Sequence, residues 1–151
     1  LGPPHPGIAA RVSKLAMGIQ GRTDRRASVF VDATGIGQPI VDFLRQETSG
    51  LGWITPVYFT HGDQRTREGD QVRLGKAYLV SRLQMLLQTG RLHLPRTAES
   101  ERLAQELLDY EIQVSEDAND RYGAFRVGSR DDLVTALGMA VHQGPVRWAI
   151  H

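Results

Sequence analysis

Three acidic residues occupy positions in the sequence where carboxylates commonly act in catalysis or metal binding. Asp32 ends the short apolar run 29–32, and a tight glycine-containing turn follows it. A carboxylate at the carboxyl end of a buried strand is costly to desolvate unless a metal, a cation or backbone N–H groups bind it. This edge of the sheet is also where α/β proteins usually place their active sites. Asp131 and Asp132 begin the last predicted helix, where the helix dipole favours acids.

If Asp32 and an acid of the last helix faced each other, they would form an oxygen-only site suited to Mg²⁺ or Mn²⁺. Two such metals can hold the attacking and leaving oxygens of a phosphodiester displacement. Each position also has a structural interpretation. Asp32 would cap its own turn by accepting hydrogen bonds from the N–H groups of Thr34 and Gly35. The later acids would complement the helix dipole, with Ser129 as the cap. The sequence leaves both interpretations open.

The composition limits the possible function classes. At 151 residues the chain is expected to form one domain, residues 1–151, with a lead-in over 1–7 and a loosely held tail over 144–151. The formal net charge of +1 gives no whole-chain electrostatic case for nucleic acid, so any DNA contact must come from a local patch. The absence of cysteine excludes disulfides and thiolate metal sites. Without a long apolar run or a secretory signal, we expect a cytoplasmic protein with no membrane contact.

Hydrophobic periodicity predicts helices and strands that alternate along the chain, which indicates an α/β fold with a parallel component. A proline within the second strand predicts an edge position or a bulge. The predicted helices cover 8–19, 38–46, 75–88, 98–109 and 129–142. The predicted strands cover 27–32 and 53–59, and a predicted β-hairpin covers 110–115 and 122–127. Residues 60–70 are predicted to form a hydrophilic loop. The predicted inward residues are Tyr78, Leu79, Leu83, Leu86 and Leu87; Leu103, Leu107 and Leu108; and Leu133, Leu137 and Val141.

Several short motifs, taken in order, resemble the C-terminal nuclease domain of phage terminase large subunits. The resemblance runs from about Ile8 to His142, which is nearly the whole chain. These bounds follow the predicted elements and are accurate to within a few residues. The motifs are Val31–Gly37, Lys76 at the start of a leucine-rich helix, Gly90-Arg91-Leu92, Glu106–Tyr110, Tyr122-Gly123-Ala124, Asp131–Val134 and Ala136-Leu137.

This resemblance implies a ribonuclease H-like fold: a mixed sheet flanked by helices, with a β-hairpin before the last helix. It implies a DNA endonuclease that cuts concatemeric viral DNA during packaging in a bacterial host. Asp32, Asp131 and Asp132 would be the catalytic acids and would hold Mg²⁺ or Mn²⁺ in a two-metal site. The expected partner is double-stranded DNA, and the expected DNA contacts are Lys76, Arg65, Arg67 and Arg130.

The chain also departs from that family. The family begins with a β-meander whose first strand supplies a leading metal-binding Asp, and no such strand precedes the helix over 8–19. The fold is therefore expected to be N-terminally incomplete. No GxxxxGK[ST] phosphate loop of a translocating ATPase is present. Arg130 stands where relatives often have His, and its charge could pair with Asp131 or Asp132 and partly replace that of a metal. We expect a homo-oligomer or a partner such as the terminase ATPase domain or the portal.

Two other functions stay open from the sequence. The first is a non-catalytic relative of the nuclease that binds DNA or a packaging partner. The second is a small nucleotide-binding α/β module that uses the Gly35-x-Gly37 turn, although this turn lacks the third glycine of the dinucleotide fingerprint. Binding of Mn²⁺ by the acids separates the nuclease from both alternatives.

Overall fold

The computed structural model describes residues 6–35, 37–113, 121–123 and 131–143, and these residues form the α/β fold that the sequence predicts. A four-stranded mixed sheet has the order β1-β2-β4-β3 and is flanked by helices, and β5 pairs with β6 separately. In chain order the elements are α1 (Pro6–Thr23), β1 (Ala27–Asp32), α2 (Gln38–Glu47), β2 (Gly52–Thr60), β3 (Arg65–Glu68), β4 (Gln71–Gly75), α3 (Lys76–Gln88), α4 (Ala98–Asp109), β5 (Glu111–Gln113), β6 (Arg121–Gly123) and α5 (Asp132–Val141).

β1 and β2 form the parallel pair at one end of this strand order. Their β-branched and aromatic residues favour extended backbone, and β1 covers the predicted range. The register runs from Ala27 opposite Gly52 to Asp32 opposite Val57. Because parallel strands need a crossover connection, α2 lies between them in the chain. This βαβ unit places Asp32 at the carboxyl end of β1.

The prediction that Pro56 marks an edge strand or a bulge is wrong, because β2 lies between β1 and β4 and is continuous. The Ala33 N–H donates to the Val57 carbonyl at 2.9 Å, so alternate residues of β2 direct their backbone groups toward β1. Pro56 comes one residue before Val57, and its missing N–H therefore lies on the side away from β1. The parallel ladder with β1 is complete without that donor.

The prediction of a hydrophilic loop over 60–70 is also wrong, because β3 and β4 form a hairpin there. Gly69 and Asp70 form its two-residue turn, and Gly69 has a φ of 61°. A positive φ at the first central position is what a type II′ hairpin turn requires, and glycine adopts it without strain. Gly-Asp between two extended runs was thus a usable sequence signal, but the exposed charged residues of β3 concealed it.

The chain divides into two compact units. Unit 1 comprises Leu1–Phe59 and Thr66–Arg73, and unit 2 comprises Thr60–Arg65 and Leu74–His151. In unit 1, small residues of α1 allow the helix to approach the sheet closely: a Cβ on Gly52 would lie 3.8 Å from the Ala16 Cβ. One buried cluster in the core of unit 1 consists of Ala9, Ala33, Val41, Leu44 and Ile54.

In unit 2, α5 packs against α3 through a different face from the one predicted. Leu133 is 37% exposed, whereas Val134, Gly138 and Met139 are buried. A Cβ on Gly138 would lie 2.3 Å from the Leu79 Cγ, so the absence of a side chain at 138 allows the two helices to approach. The inward assignments of Leu87 and Leu108 are wrong as well, since they are 44% and 79% exposed. Hydrophobic periodicity does not detect a glycine as a packing residue, so the predicted face of α5 differs from the observed one.

The predicted hairpin before the last helix is present in its described part. β5 and β6 are antiparallel, with Ile112 opposite Tyr122. The remainder of the predicted strands and the turn between them lie outside the described residues. Within the ranges that the structure describes, we find no helix that combines the length and the apolar character needed to span a bilayer.

Candidate functional site

Asp32 lies at the carboxyl end of β1 and is half-buried. Its Oδ1 accepts a hydrogen bond from the Thr34 N–H at 2.9 Å, so the turn-capping role expected of this acid is confirmed for Thr34. A carboxylate has about four lone-pair positions, and one hydrogen bond occupies only one of them. The capping role and a metal-binding role are therefore compatible at this position.

The turn after Asp32 is fastened to β2. The Thr34 Oγ1 accepts a hydrogen bond from the Phe59 N–H at 2.9 Å, and the Gly37 N–H donates to the Ala33 carbonyl at 2.9 Å. Gly37 has a φ of 70°, which a side chain would oppose, and Pro39 follows in the first turn of α2. These contacts fix the backbone around Asp32 and thereby limit the directions in which its carboxylate can point.

Asp131 and Asp132 begin α5, as the sequence predicts, but Asp131 does not cap the helix with its side chain. Asp131 is the N-cap residue, and its side chain makes no capping hydrogen bond. The cap comes from α4 instead: the Glu106 Oε2 accepts from the Leu133 N–H at 2.7 Å and from the Val134 N–H at 3.3 Å. The proposed cap residue at position 129 lies outside the described residues. Glu106, and not the Asp131 side chain, therefore accepts from these two N–H groups.

We expect Glu106→Ala to lower the free energy of unfolding by about 1–2 kcal/mol, the usual loss when a helix cap is removed. Two N–H groups at the start of α5 would lose their acceptor. Glu106→Gln keeps one side-chain carbonyl oxygen and should lose less. Urea denaturation followed by circular dichroism measures both losses. Equal stability of the wild type and the alanine variant would contradict this capping role, and Arg102→Ala on the exposed side of α4 is the control.

The donor set suits a hard divalent cation, but the described residues do not supply a full ligand shell. In the part of the chain that the structure describes, no group of three or more His, Cys, Asp or Glu side chains could hold a metal ion. Mg²⁺ usually keeps several waters and binds through one or two carboxylates together with substrate phosphates. Asp32 in unit 1 and the acids at the start of α5 in unit 2 are oxygen donors of this kind.

The predicted DNA-contacting cations have different environments. Arg65 is half-buried, and its Nη2 donates to the Gln143 Oε1 at 3.3 Å. Arg67 is exposed on β3, and its Nε donates to the Gly69 carbonyl at 3.3 Å. Lys76 is half-buried at the first residue of α3. Arg130 lies outside the described residues. Of the described three, Arg67 is the most accessible to a phosphate.

His142 is a buried titratable residue that the sequence analysis did not select. It is 0% exposed at the end of α5, and its Nδ1 lies 2.5 Å from the Met139 carbonyl. Burial lowers the pKa of His142; the bond to Met139 raises it, and the positive charges of Arg65 and Arg82 lower it further. Arg82 also donates a hydrogen bond to the Val141 carbonyl. His142 follows Gly138 by four residues, and residues at this spacing lie on the same face of a helix. Because Gly138 is buried, this spacing was the sequence signal that His142 points inward.

His142 should make the protein less stable as the pH falls. Its pKa is lower in the folded state than the ordinary value of 6.5, so the unfolded chain takes up a proton first. The stabilising contribution is complete above pH 6.5 and is lost as the pH falls through the lowered folded pKa. We expect the free energy of unfolding to be lower at about pH 5.5 than at about pH 7.

Urea denaturation at both pH values checks this expectation. His142→Gln should remove the pH-dependent loss, whatever its effect on stability at neutral pH. His93→Gln, at an exposed position outside the helices and strands, should keep the loss. The same decline with pH in the His142→Gln variant would show that another group causes it.

Comparisons with known proteins give no family for this chain. No family model, curated protein or solved structure matches it. The resemblance to terminase nuclease domains accordingly stays a prediction from the sequence.

Proposed function

We propose that this chain is a metal-dependent DNA endonuclease domain of the phage terminase type, with a ribonuclease H-like fold. Its metal ligands and catalytic acids are Asp32, Asp131 and Asp132. The observation that carries the proposal is the position of Asp32 at the carboxyl end of a parallel strand, on a turn fastened to β2. Ligand sites of open α/β sheets lie at this end of the strands.

The proposed chemistry assigns a task to each residue. Bound Mg²⁺ or Mn²⁺ supplies Lewis acidity and a metal-activated water for attack on the phosphodiester. The Asp32 carboxylate holds its position through the Thr34 N–H. The Asp131 carboxylate is released from capping by Glu106, and Asp132 is exposed beside it. Arg67 is placed to contact a phosphate of double-stranded DNA.

The partners follow from the same proposal. The substrate is double-stranded DNA, and the terminase ATPase domain, the portal or a second copy of this chain is the proposed protein partner. In the proposed family a leading Asp from an upstream strand completes the metal site. A partner or an additional segment that supplies this acid is therefore part of the proposal.

The test is nicking of supercoiled plasmid by the purified chain. We expect relaxed and linear products with Mn²⁺ and none with EDTA. Circular dichroism on the same sample shows whether the chain is folded. A folded chain that neither cuts DNA nor binds Mn²⁺ would contradict the endonuclease assignment. Binding of duplex DNA in that sample, measured by mobility shift, would then identify the non-catalytic relative.

A further inference from the structure

The amino ends of β1 and β2 carry an exposed aromatic side chain next to a cation. Trp53 is 60% exposed on β2. The Arg26 Cζ lies 5.1 Å from the centroid of the Trp53 ring, in cation–π geometry. A large ring left in water gives up much of the stabilisation that its burial would provide. An exposed tryptophan paired with arginine is the combination that stacks on nucleic-acid bases.

The turn between α1 and β1 holds these cations in a defined conformation. The Thr23 Oγ1 donates to the Ile19 carbonyl at 2.8 Å and accepts from the Arg25 N–H at 3.3 Å. Asp24 has a φ of 54°, and its N–H donates to the Gln20 carbonyl at 2.9 Å. Arg25 and Arg26 are exposed in this turn, and Arg22 is exposed in the last turn of α1, where its Nε donates to the Gly18 carbonyl at 3.2 Å.

The segment 6–26, which comprises α1 and the turn after it, differs in charge from the rest of the chain. Residues 6–26 contain five Lys and Arg and one Asp, so they carry +4, whereas the whole chain carries only +1. The remaining residues therefore have a net charge of −3. Arg22, Arg25 and Arg26 are three of these five cations, and their local positive charge favours a polyanion at the turn before β1.

Trp53 and Asp32 lie on the same face of the β1–β2 pair. In the parallel register Trp53 is opposite Ser28, and Asp32 is four residues further along β1. Since alternate residues share a face, the spacing along the strands is about 13 Å.

We propose that Trp53, Arg26 and the neighbouring Arg22 and Arg25 form a binding site for single-stranded DNA. Trp53 stacks on an unpaired base, Arg26 supports the ring from its other side, and the two further arginines contact phosphates. This site stands apart from the three metal-binding acids. The test of this site requires neither a metal nor DNA cleavage. A failure of the proposed single-stranded DNA site can therefore be distinguished from a failure of the proposed nuclease.

The first experiment measures binding of fluorescein-labelled oligo-dT of about 20 nucleotides by anisotropy in EDTA, a length that spans one such site. Trp53→Ala should weaken binding by about tenfold, the loss expected for one stacked base, and Trp53→Phe should restore most of it. Arg25→Gln should weaken binding and reduce its salt dependence between about 50 mM and about 200 mM. The matched controls are Leu108→Ala and Arg102→Gln on the exposed surface of α4, which should bind as the wild type does.

The second experiment reads the stacking directly. The chain has two tryptophans, so a Trp148→Phe background leaves Trp53 as the single fluorophore. Oligo-dT should quench this fluorescence along the same titration curve as the anisotropy. The proposal is overturned if the wild type does not bind oligo-dT, if Trp53→Ala binds as tightly as the wild type, or if the fluorescence does not change on binding. Unchanged circular dichroism of Trp53→Ala shows that a loss of binding is not a loss of fold.

Discussion

Asp32→Asn is expected to reduce Mn²⁺-dependent nicking by at least about 100-fold, because the loss of one charged ligand weakens both metal binding and stabilisation of the transition state. The substitution changes little else. Asparagine has nearly the same shape and keeps a side-chain carbonyl that can accept the hydrogen bond from the Thr34 N–H. The fold and the turn should therefore be preserved. Initial rates of plasmid relaxation measure the effect, with unfolding curves as the check on structure.

Asp42→Asn is the matched control, since it removes an acid of the same type from the same unit. Asp42 is exposed on α2, where its Oδ1 accepts from the Gln38 Nε2 at 2.9 Å and lies 3.9 Å from the Arg45 Nη1. Its nicking rate should stay within about twofold of the wild type, as surface changes usually have small effects. If Asp32→Asn cuts as fast as Asp42→Asn, Asp32 is not a metal ligand for this reaction.

Gly75→Ala is expected to destabilise the protein by about 3 kcal/mol or more, at the upper end of overpacking effects. A Cβ at this position would lie 2.0 Å from the Gly62 carbonyl oxygen and 2.6 Å from its carbon. Both atoms are backbone, so no side-chain rotation relieves the contact. Separating the segments would also break the bond from the Gly75 N–H to the Gln64 carbonyl, which is 2.8 Å long. The drop in the urea midpoint measures the effect.

Gly21→Ala is the control for Gly75→Ala. Gly21 lies within α1, and a Cβ there would meet nothing within 4 Å. Alanine favours helix over glycine by roughly 0.5–1 kcal/mol, so this variant should be slightly more stable than the wild type. If both substitutions have the same small effect, the close approach at Gly75 does not constrain the fold.

The parts of the fold that the sequence predicted were those with strong local patterns. β1 and α2 were recovered because a β-branched run and a Pro-initiated amphipathic segment each contain their own signal. The same holds for the position of Asp32 at a strand end and for its bond to Thr34, which depend on neighbours in the chain.

The features that the sequence did not predict depend on residues distant in the chain. Pro56 lies in an interior strand, and only the register shows that the ladder with β1 does not use its missing N–H. Glu106 caps a helix that starts 26 residues later. The buried face of α5 is set by contact between Gly138 and Leu79, which no local periodicity reports. Tertiary contacts of this kind override local pattern.

The most direct test of the central claim is a Mn²⁺ titration followed by electron paramagnetic resonance, in which bound Mn²⁺ loses the sharp signal of the free ion. The claim, as proposed above, is that Asp32, Asp131 and Asp132 are each ligands of the catalytic metals. The wild type should bind Mn²⁺, and Asp32→Asn and Asp132→Asn should each weaken that binding by at least about tenfold, while Asp42→Asn does not. Absence of Mn²⁺ binding by the folded wild type, or equal binding by all four proteins, would contradict the claim.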